Sequence, residues 1–200
     1  MTALLAAMLL ASALSTASAR NLEVSNQNFR VTWSRLEFQS SLATVRCQVT
    51  LEGSMHSRTI PKIQGLLIGA ITRITIKEES CTGGTARPER PPPWHLTYEG
   101  FTGRLPTIES VRFLAQRFQY AIIAFGATCK MGTSTDNITG RTTLNGSGDA
   151  VNQIPLTGRN IVNLLEGGGL CPASGTFVGG EADGVITLLG TTTRIRVTLI

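Results

Sequence analysis

Two histidines are the side chains in this sequence that best suit general-base chemistry near neutral pH. His56 lies in a polar segment beside Ser54 and Ser57, whose hydroxyls an imidazole could activate. His95 directly follows Trp94, so on a strand the two side chains face opposite ways. The sequence has no nucleophile elbow, zincin helix, phosphate-binding glycine loop or dinucleotide fingerprint. A serine-histidine site must therefore use one of these imidazoles, while ordinary turn and strand positions explain both without catalysis.

Carboxylates are the second group that could support hydrolysis. A glycosidase places two of them on opposite sides of the scissile bond. Candidates in or near strand-like segments are Glu99, Glu109, Glu166 and Glu181. They can act only if the fold brings a pair together, and the sequence does not show that it does.

One segment has the spacing of a calcium loop. Asn145, Ser147 and Asp149 alternate as oxygen ligands do, but Leu156 occupies the position where such a loop needs a bidentate glutamate. We therefore interpret the segment as a glycine-rich turn, and we expect neither a metal nor a cofactor.

Four cysteines follow the N-terminal apolar run: Cys47, Cys81, Cys129 and Cys171. An even count in an exported chain indicates disulfides, with three pairings to consider. We favour Cys47 with Cys81 and Cys129 with Cys171, because these pairs are neighbours in sequence and give two successive closed halves. Each loop of this length stabilises the fold by roughly 4 kcal/mol on the chain-entropy estimate. The spacing excludes a zinc knuckle, whose cysteines lie two to four residues apart.

Aromatic side chains are the candidates for ligand recognition. Trp94 and Tyr98 share one face of an alternating segment just beyond a proline-rich stretch, and their rings are suited to stacking on sugars. The alternative is that both rings belong to the core.

The first 19 residues resemble a signal peptide. An apolar run at residues 4–14 is too short to span a bilayer comfortably and leads to small residues, which predicts cleavage after Ala19. Residues 20–200 would then form a single exported β-rich domain without a transmembrane segment. The net charge is +5, with arginines scattered singly, so we expect no nucleic-acid partner. A mildly cationic surface suits weak attraction to an anionic cell wall.

Period-two alternation runs through most of the chain and predicts strands. Phe29, Val31 and Trp33 alternate, and the pattern then slips by one residue at Arg35, which suggests a bulge. Alternation also places Cys47 on an inward face, and a turn is predicted at 52–54. The apolar residues 66–68 are interpreted as buried on both faces or as a short helical turn.

The second half is more ambiguous. Residues 82–93 are rich in Gly and Pro, which predicts an exposed connection. Residues 111–125 fit a strand pair, although Phe113, Arg117 and Tyr120 also have helical spacing, and residues 160–166 fit a strand or a helical turn. Residues 185–189 and 193–200 predict a terminal hairpin in which Ile195 and Val197 face inward. The fold class expected is all-β: a sandwich or small barrel of short, mostly antiparallel strands linked by disulfides.

Several strings together carry a resemblance that covers nearly the whole mature chain. They are GSMHSRTIPKIQGLLIGAITR, SCTGGTA, PWHLTYEGFTGRLPTIESVRF, GGGLCPASGTF and LGTTTRIRVTLI. The sequence resembles a group of uncharacterised secreted proteins of soil actinobacteria with no assigned activity. The resemblance implies export, a β-rich domain and a shared cysteine frame, and it supplies no catalytic residues.

Two classes of function remain open. The first, which we favour, is a monomeric, non-catalytic extracellular domain that is structural or binds a ligand, with a cell-surface or glycan ligand recognised through Trp94 and Tyr98. The second is a small secreted hydrolase using carboxylates or His56 or His95. A cleft with converging acidic or imidazole groups would distinguish the second from the first.

Overall fold

The computed structural model describes residues 21–89, 93–104, 107–132, 138–144, 160–178 and 185–200. The predicted signal peptide, the calcium-like segment with Leu156, and Glu181 lie outside these residues. Within them the chain forms antiparallel, curled sheets and no helix. The predicted all-β, sandwich-like class with disulfide links is therefore confirmed.

Fifteen strands are present in the described ranges. They are β1 (Asn21–Val24), β2 (Asn28–Ser40), β3 (Thr44–Met55), β4 (Thr59–Pro61), β5 (Leu67–Thr82), β6 (Thr85–Pro88), β7 (Trp94–Thr102), β8 (Ser110–Gln116), β9 (Gln119–Ala124), β10 (Ala127–Gly132), β11 (Ile138–Thr143), β12 (Asn160–Glu166), β13 (Ser174–Val178), β14 (Val185–Leu188) and β15 (Val197–Leu199). Residues 111–125, left open between a strand pair and a helix, contain most of β8 and all of β9, and residues 160–166 form β12.

The strands form one large sheet and one small one. The large sheet has the order β11-β8-β7-β5-β3-β2-β13-β12-β10-β9-β6, and β14 also pairs with β2. The small sheet has the order β15-β1-β4. Because β13 and β14 from the second half pair with β2 from the first, the two halves share one sheet and are not two successive units.

The longest strands, β2, β3 and β5, show how the sequence pattern becomes two chemically different faces. Val45, Cys47 and Val49 are buried on β3, and Phe29, Val31 and Trp33 are buried on β2. The register between β2 and β3 shifts between Trp33 and Leu36, where the sequence predicted a bulge. The shift returns Leu36 and Phe38 to the same face as the earlier apolar residues.

The opposite face of these strands carries a row of polar pairs. Arg30, Glu52 and Arg73 are aligned across β2, β3 and β5, and the Arg30 guanidinium donates to Glu52 Oε1 from Nη2 at 2.7 Å and from Nε at 2.9 Å. The hydroxyls of Thr32 and Thr50 lie 3.2 Å apart in the adjacent row. These contacts are cross-strand pairs of the kind that fix register.

Both predicted disulfides are present. Cys47 joins Cys81 with an S–S distance of 2.03 Å, and Cys129 joins Cys171 with an S–S distance of 2.05 Å. No described cysteine is free. Disulfides of this kind belong to oxidising compartments, so they are consistent with an extracellular protein.

The turn predicted at 52–54 is wrong, because β3 continues through it to Met55. Gly53 is needed there for close packing: a Cβ atom would collide with the Ala70 carbonyl oxygen and lie 2.7 Å from Phe29 Cζ. The chain turns later, at residues 56–58, which are exposed. The apolar residues 66–68 are neither helical nor buried on both faces, since Leu67 is 42% exposed and Ile68 is 4% exposed.

Two further corrections concern long-range pairing. The connection predicted at 82–93 contains β6, which pairs with β9 and buries Ala86. The predicted terminal hairpin does not form, because β14 pairs with β2 of the large sheet and β15 pairs with β1 of the small sheet. Ile195 is nevertheless buried and Val197 partly buried, as their alternation indicated.

No helix in the described part of the chain is long and apolar enough to cross a membrane.

Candidate ligand cavity

An interior cavity of about 150 Å³ lies against the apolar face of the large sheet. The small sheet forms part of its wall through Leu22, Ile60 and Val197, and the large sheet forms the rest. The described wall contains no charged side chain. The cavity therefore has an apolar lining, which is the usual character of a site for small molecules.

Alternating apolar side chains of β2 and β3 form one side of this wall. Val31, Trp33 and Phe38 line it from β2, and Val49 lines it from β3. Each of these side chains is at most 6% exposed. Because residues two apart share a face of a strand, the same alternation that predicts the strands also supplies the lining.

A group of aromatic rings forms another part of the wall. The Trp94 and Phe118 ring centroids are 4.3 Å apart in an edge arrangement, and Phe118 lies 5.1 Å from Tyr120. Tyr120 in turn meets Phe38 edge-on at 5.6 Å. These contacts connect β7, the β8–β9 turn, β9 and β2, so the rings fix the shape of the wall.

The β8–β9 turn depends on an unusual backbone position. Arg117 has a φ of 63°, in the left-handed region that a non-glycine residue seldom adopts. The turn reverses the chain between β8 and β9 and leaves Phe118 beside Trp94.

Few polar groups reach this region. Tyr120 is 3% exposed, and burial raises the pKa of its phenol well above the ordinary value. Trp94 is 2% exposed, and its Nε1 has no hydrogen-bond acceptor within the part of the chain that the structure describes. The indole N–H is a donor only, so its partner must be an acceptor.

Trp94 and Tyr98, the predicted sugar-binding pair, do share a face of β7, but that face is the inner one. Tyr98 is 3% exposed, and burial raises the pKa of its phenol, while the nearby Arg112 acts in the opposite direction. The prediction of an exposed stacking platform is therefore wrong. Its alternative, that the rings belong to the core, describes both residues, and Trp94 also lines the cavity.

The two histidines lie outside the cavity. His56 is exposed in the turn after β3, where its backbone N–H donates to Ile68 O at 2.8 Å. His95 lies opposite Ala70, and Ala70 lies opposite Ser54, so two strand spacings, about 10 Å, separate His95 from that hydroxyl. A general base must reach its proton at about 3 Å.

The described candidate carboxylates do not converge. Glu99 lies at a bulge on β7 with its Oε2 3.9 Å from Arg112 Nε, and Glu166 accepts from Lys130 Nζ at 2.8 Å. Glu109 precedes β8. No group of three His, Cys, Asp or Glu side chains among the described residues could hold a metal ion.

Sequence reasoning did not identify Phe118 and Tyr120 as parts of a site. Their spacing by two with Ile122 showed that they share a face, and that signal indicated a common inner surface. It did not indicate an empty volume, because a cavity depends on how distant strands approach one another.

No protein-family model, curated protein or solved structure is similar enough to this chain to count as a match.

Proposed function

We propose that the mature chain is an exported, non-catalytic domain that binds a small apolar molecule in its interior cavity. The observation that carries this proposal is the cavity of about 150 Å³ with an apolar, uncharged wall. Transfer of an apolar molecule from water into such a wall is favourable in proportion to the area removed from water.

The size of the cavity limits the ligand. An engineered protein cavity of about 150 Å³ lined by Leu, Ile and Phe stays dry and binds benzene, whereas pockets for drug-sized molecules have roughly 300–1,000 Å³. We therefore expect a ligand of roughly six to nine non-hydrogen atoms. An oligosaccharide is too large for this volume and too polar for this lining.

Export is supported by two independent features. The first 19 residues have the pattern of a cleaved signal peptide, and both disulfides suit an oxidising compartment. The cavity wall is supplied by one chain, so a monomer is sufficient for binding. The glycan ligand loses its main support because Trp94 and Tyr98 are buried. The hydrolase alternative loses support because two of its candidate carboxylates, Glu99 and Glu166, each lie beside a basic side chain, Arg112 and Lys130.

The test uses toluene and α-methylstyrene as probes on the oxidised, mature protein. Binding to the native state should raise the unfolding temperature with probe concentration, following the linkage relation. Isothermal titration or the fluorescence of Trp33 and Trp94, which both line the cavity, should give saturable binding. Absence of saturable binding by both probes would overturn the proposal.

Ala115→Leu is the matched cavity-filling variant. Ala115 lines the cavity opposite Leu96, so the added carbon atoms should occupy space that the probe needs. Ala70→Leu is the control, because Ala70 precedes the cavity-lining Ile71 and faces the other side of β5. We expect Ala115→Leu to weaken probe binding at least tenfold, equivalent to about 1.4 kcal/mol, and Ala70→Leu to bind as the wild type does.

A further inference from the structure

The indole nitrogen of Trp94 is a buried donor with no acceptor in the described ranges. The Trp94 side chain is among the largest that are fully buried, and Nε1 has no acceptor among the described residues. Buried Trp N–H groups usually find a partner, since an unpaired one loses its water hydrogen bond without replacement. This orphaned donor belongs to a ring that lines the cavity.

Two described neighbours of Trp94 have apolar side chains. Its ring meets the edge of Phe118, and its neighbour across β5 is Ile71. Trp33 provides the internal comparison: it also lines the cavity and is 4% exposed, yet its nitrogen is not among the buried atoms left without a partner. An unpaired indole is therefore a feature of the Trp94 side of the cavity.

We propose that the molecule held in the cavity is a neutral one that carries a hydrogen-bond acceptor, such as a small ketone, ester or ether, and that Trp94 Nε1–H donates to that acceptor. This inference rests on the proposed binding function. Neutrality follows from the described wall, which has no charged side chain to offset a buried ionic charge. The acceptor follows from the donor, because a ligand that only donates would leave Nε1–H unpaired.

Acetophenone and α-methylstyrene test the inference because they have the same shape and differ in one position, a carbonyl oxygen in place of a CH₂ group. In the wild type both should bind. Trp94→Phe removes the N–H and keeps an aromatic ring. We expect this substitution to weaken acetophenone about tenfold, within a range of roughly 5- to 100-fold, and to change the affinity for α-methylstyrene by less than about threefold.

Tyr120→Phe is the matched variant, since it removes the phenol hydroxyl from another ring of the wall and leaves both indoles in place. Selective loss of acetophenone binding in Tyr120→Phe but not in Trp94→Phe would overturn the assignment to Trp94. Equal changes for both probes in Trp94→Phe would show that the ring's shape matters and its N–H does not, which would also overturn it. Failure of both probes to bind the wild type would instead reject the proposed function itself.

A second measurement needs no variant of Trp94 and so stands if Trp94→Phe does not fold. The two tryptophans give two indole N–H resonances in a ¹⁵N-labelled sample, and Trp33→Phe assigns them. Acetophenone should shift the Trp94 indole proton downfield as the hydrogen bond forms, and α-methylstyrene should not. Matching shifts from the two probes would contradict the hydrogen bond.

Discussion

On β2, adjacent residues belong to two surfaces with different chemistry. Phe38 faces the cavity, where its ring meets Tyr120 and covers the backbone of Gly175. Glu37 faces outward, where its carboxylate accepts from Arg46 and Gln39. The inner surface is held by buried area and shape, whereas the outer surface is held by ion pairs in contact with water. Buried area on the inner face therefore supplies stability and the wall of the proposed binding cavity, whereas the polar pairs on the outer face fix register.

Replacing Phe38 with Ala should produce the largest effect. Large-to-small substitution of a buried Phe loses transfer free energy and leaves a void, at a cost of about 3–5 kcal/mol. We expect the lower end, about 3 kcal/mol, because the ring already borders empty space. The measurement is the free energy of unfolding in urea with the disulfides intact.

Glu37→Ala, one residue away, is the control. Its ion pair with Arg46 is at the surface, so we expect a loss below about 1 kcal/mol. The hydrogen bond from Gln39 lowers the pKa of Glu37, and the hydrogen bond and charge of Arg46 also lower it, while burial acts in the opposite direction. This stabilisation is present above about pH 4.5 and is lost as the pH falls through the folded pKa. Similar losses for the two substitutions would remove the distinction between the faces.

Tyr120 extends the comparison to alkaline pH. Burial raises the pKa of its phenol well above 10, so the folded protein keeps a proton that the unfolded chain loses. Above about pH 10 the free energy of unfolding should therefore fall by about 1.4 kcal/mol per pH unit from this group, and the stability is fully present below that pH. Tyr120→Phe removes this slope.

The difference between wild type and Tyr120→Phe isolates the phenol. Tyr98 and Lys130, whose pKa values are also raised, are present in both proteins. Urea unfolding at intervals from pH 8 to 11 should show a constant difference below pH 9.5 that changes above pH 10 in favour of the variant. Parallel profiles would mean that the folded phenol ionises as freely as the unfolded one.

The sequence predicted local features well because they depend on local chemistry. Alternation correctly placed Cys47 on the inward face and located the register slip near Arg35. Pairing the cysteines that are neighbours in sequence correctly predicted both disulfides. Alternation shows which residues share a face, but it does not show whether another strand covers that face. For this reason the sequence left Trp94 and Tyr98 open between an exposed stacking face and the core, and it did not indicate the partners of β14 and β15. The cavity was not predictable, because its volume depends on how closely strands from distant parts of the sequence pack against one another.

Glu52 offers the smallest effect and the sharpest test of the outer face. Its side chain is 14% exposed and lies 2.7 Å from Arg30 Nη2, but 3.7 Å from Arg73 Nη1. Arg73 is also the more exposed arginine, at 73% against 37%. We expect Glu52→Gln to cost about 0.5–1 kcal/mol in the free energy of unfolding. The loss should become smaller as NaCl rises from about 0.05 to 0.5 M, because the screening length shortens.

Double-mutant cycles divide that effect between the two arginines. The Glu52–Arg30 coupling, measured with Glu52→Gln and Arg30→Met, should be about 0.5–1 kcal/mol because two short hydrogen bonds hold one geometry. The Glu52–Arg73 coupling should be close to zero, because an exposed arginine at the longer distance gains little from the pair. Equal couplings would show that the row acts through its summed charge, in which case alignment across β2, β3 and β5 would contribute little to register.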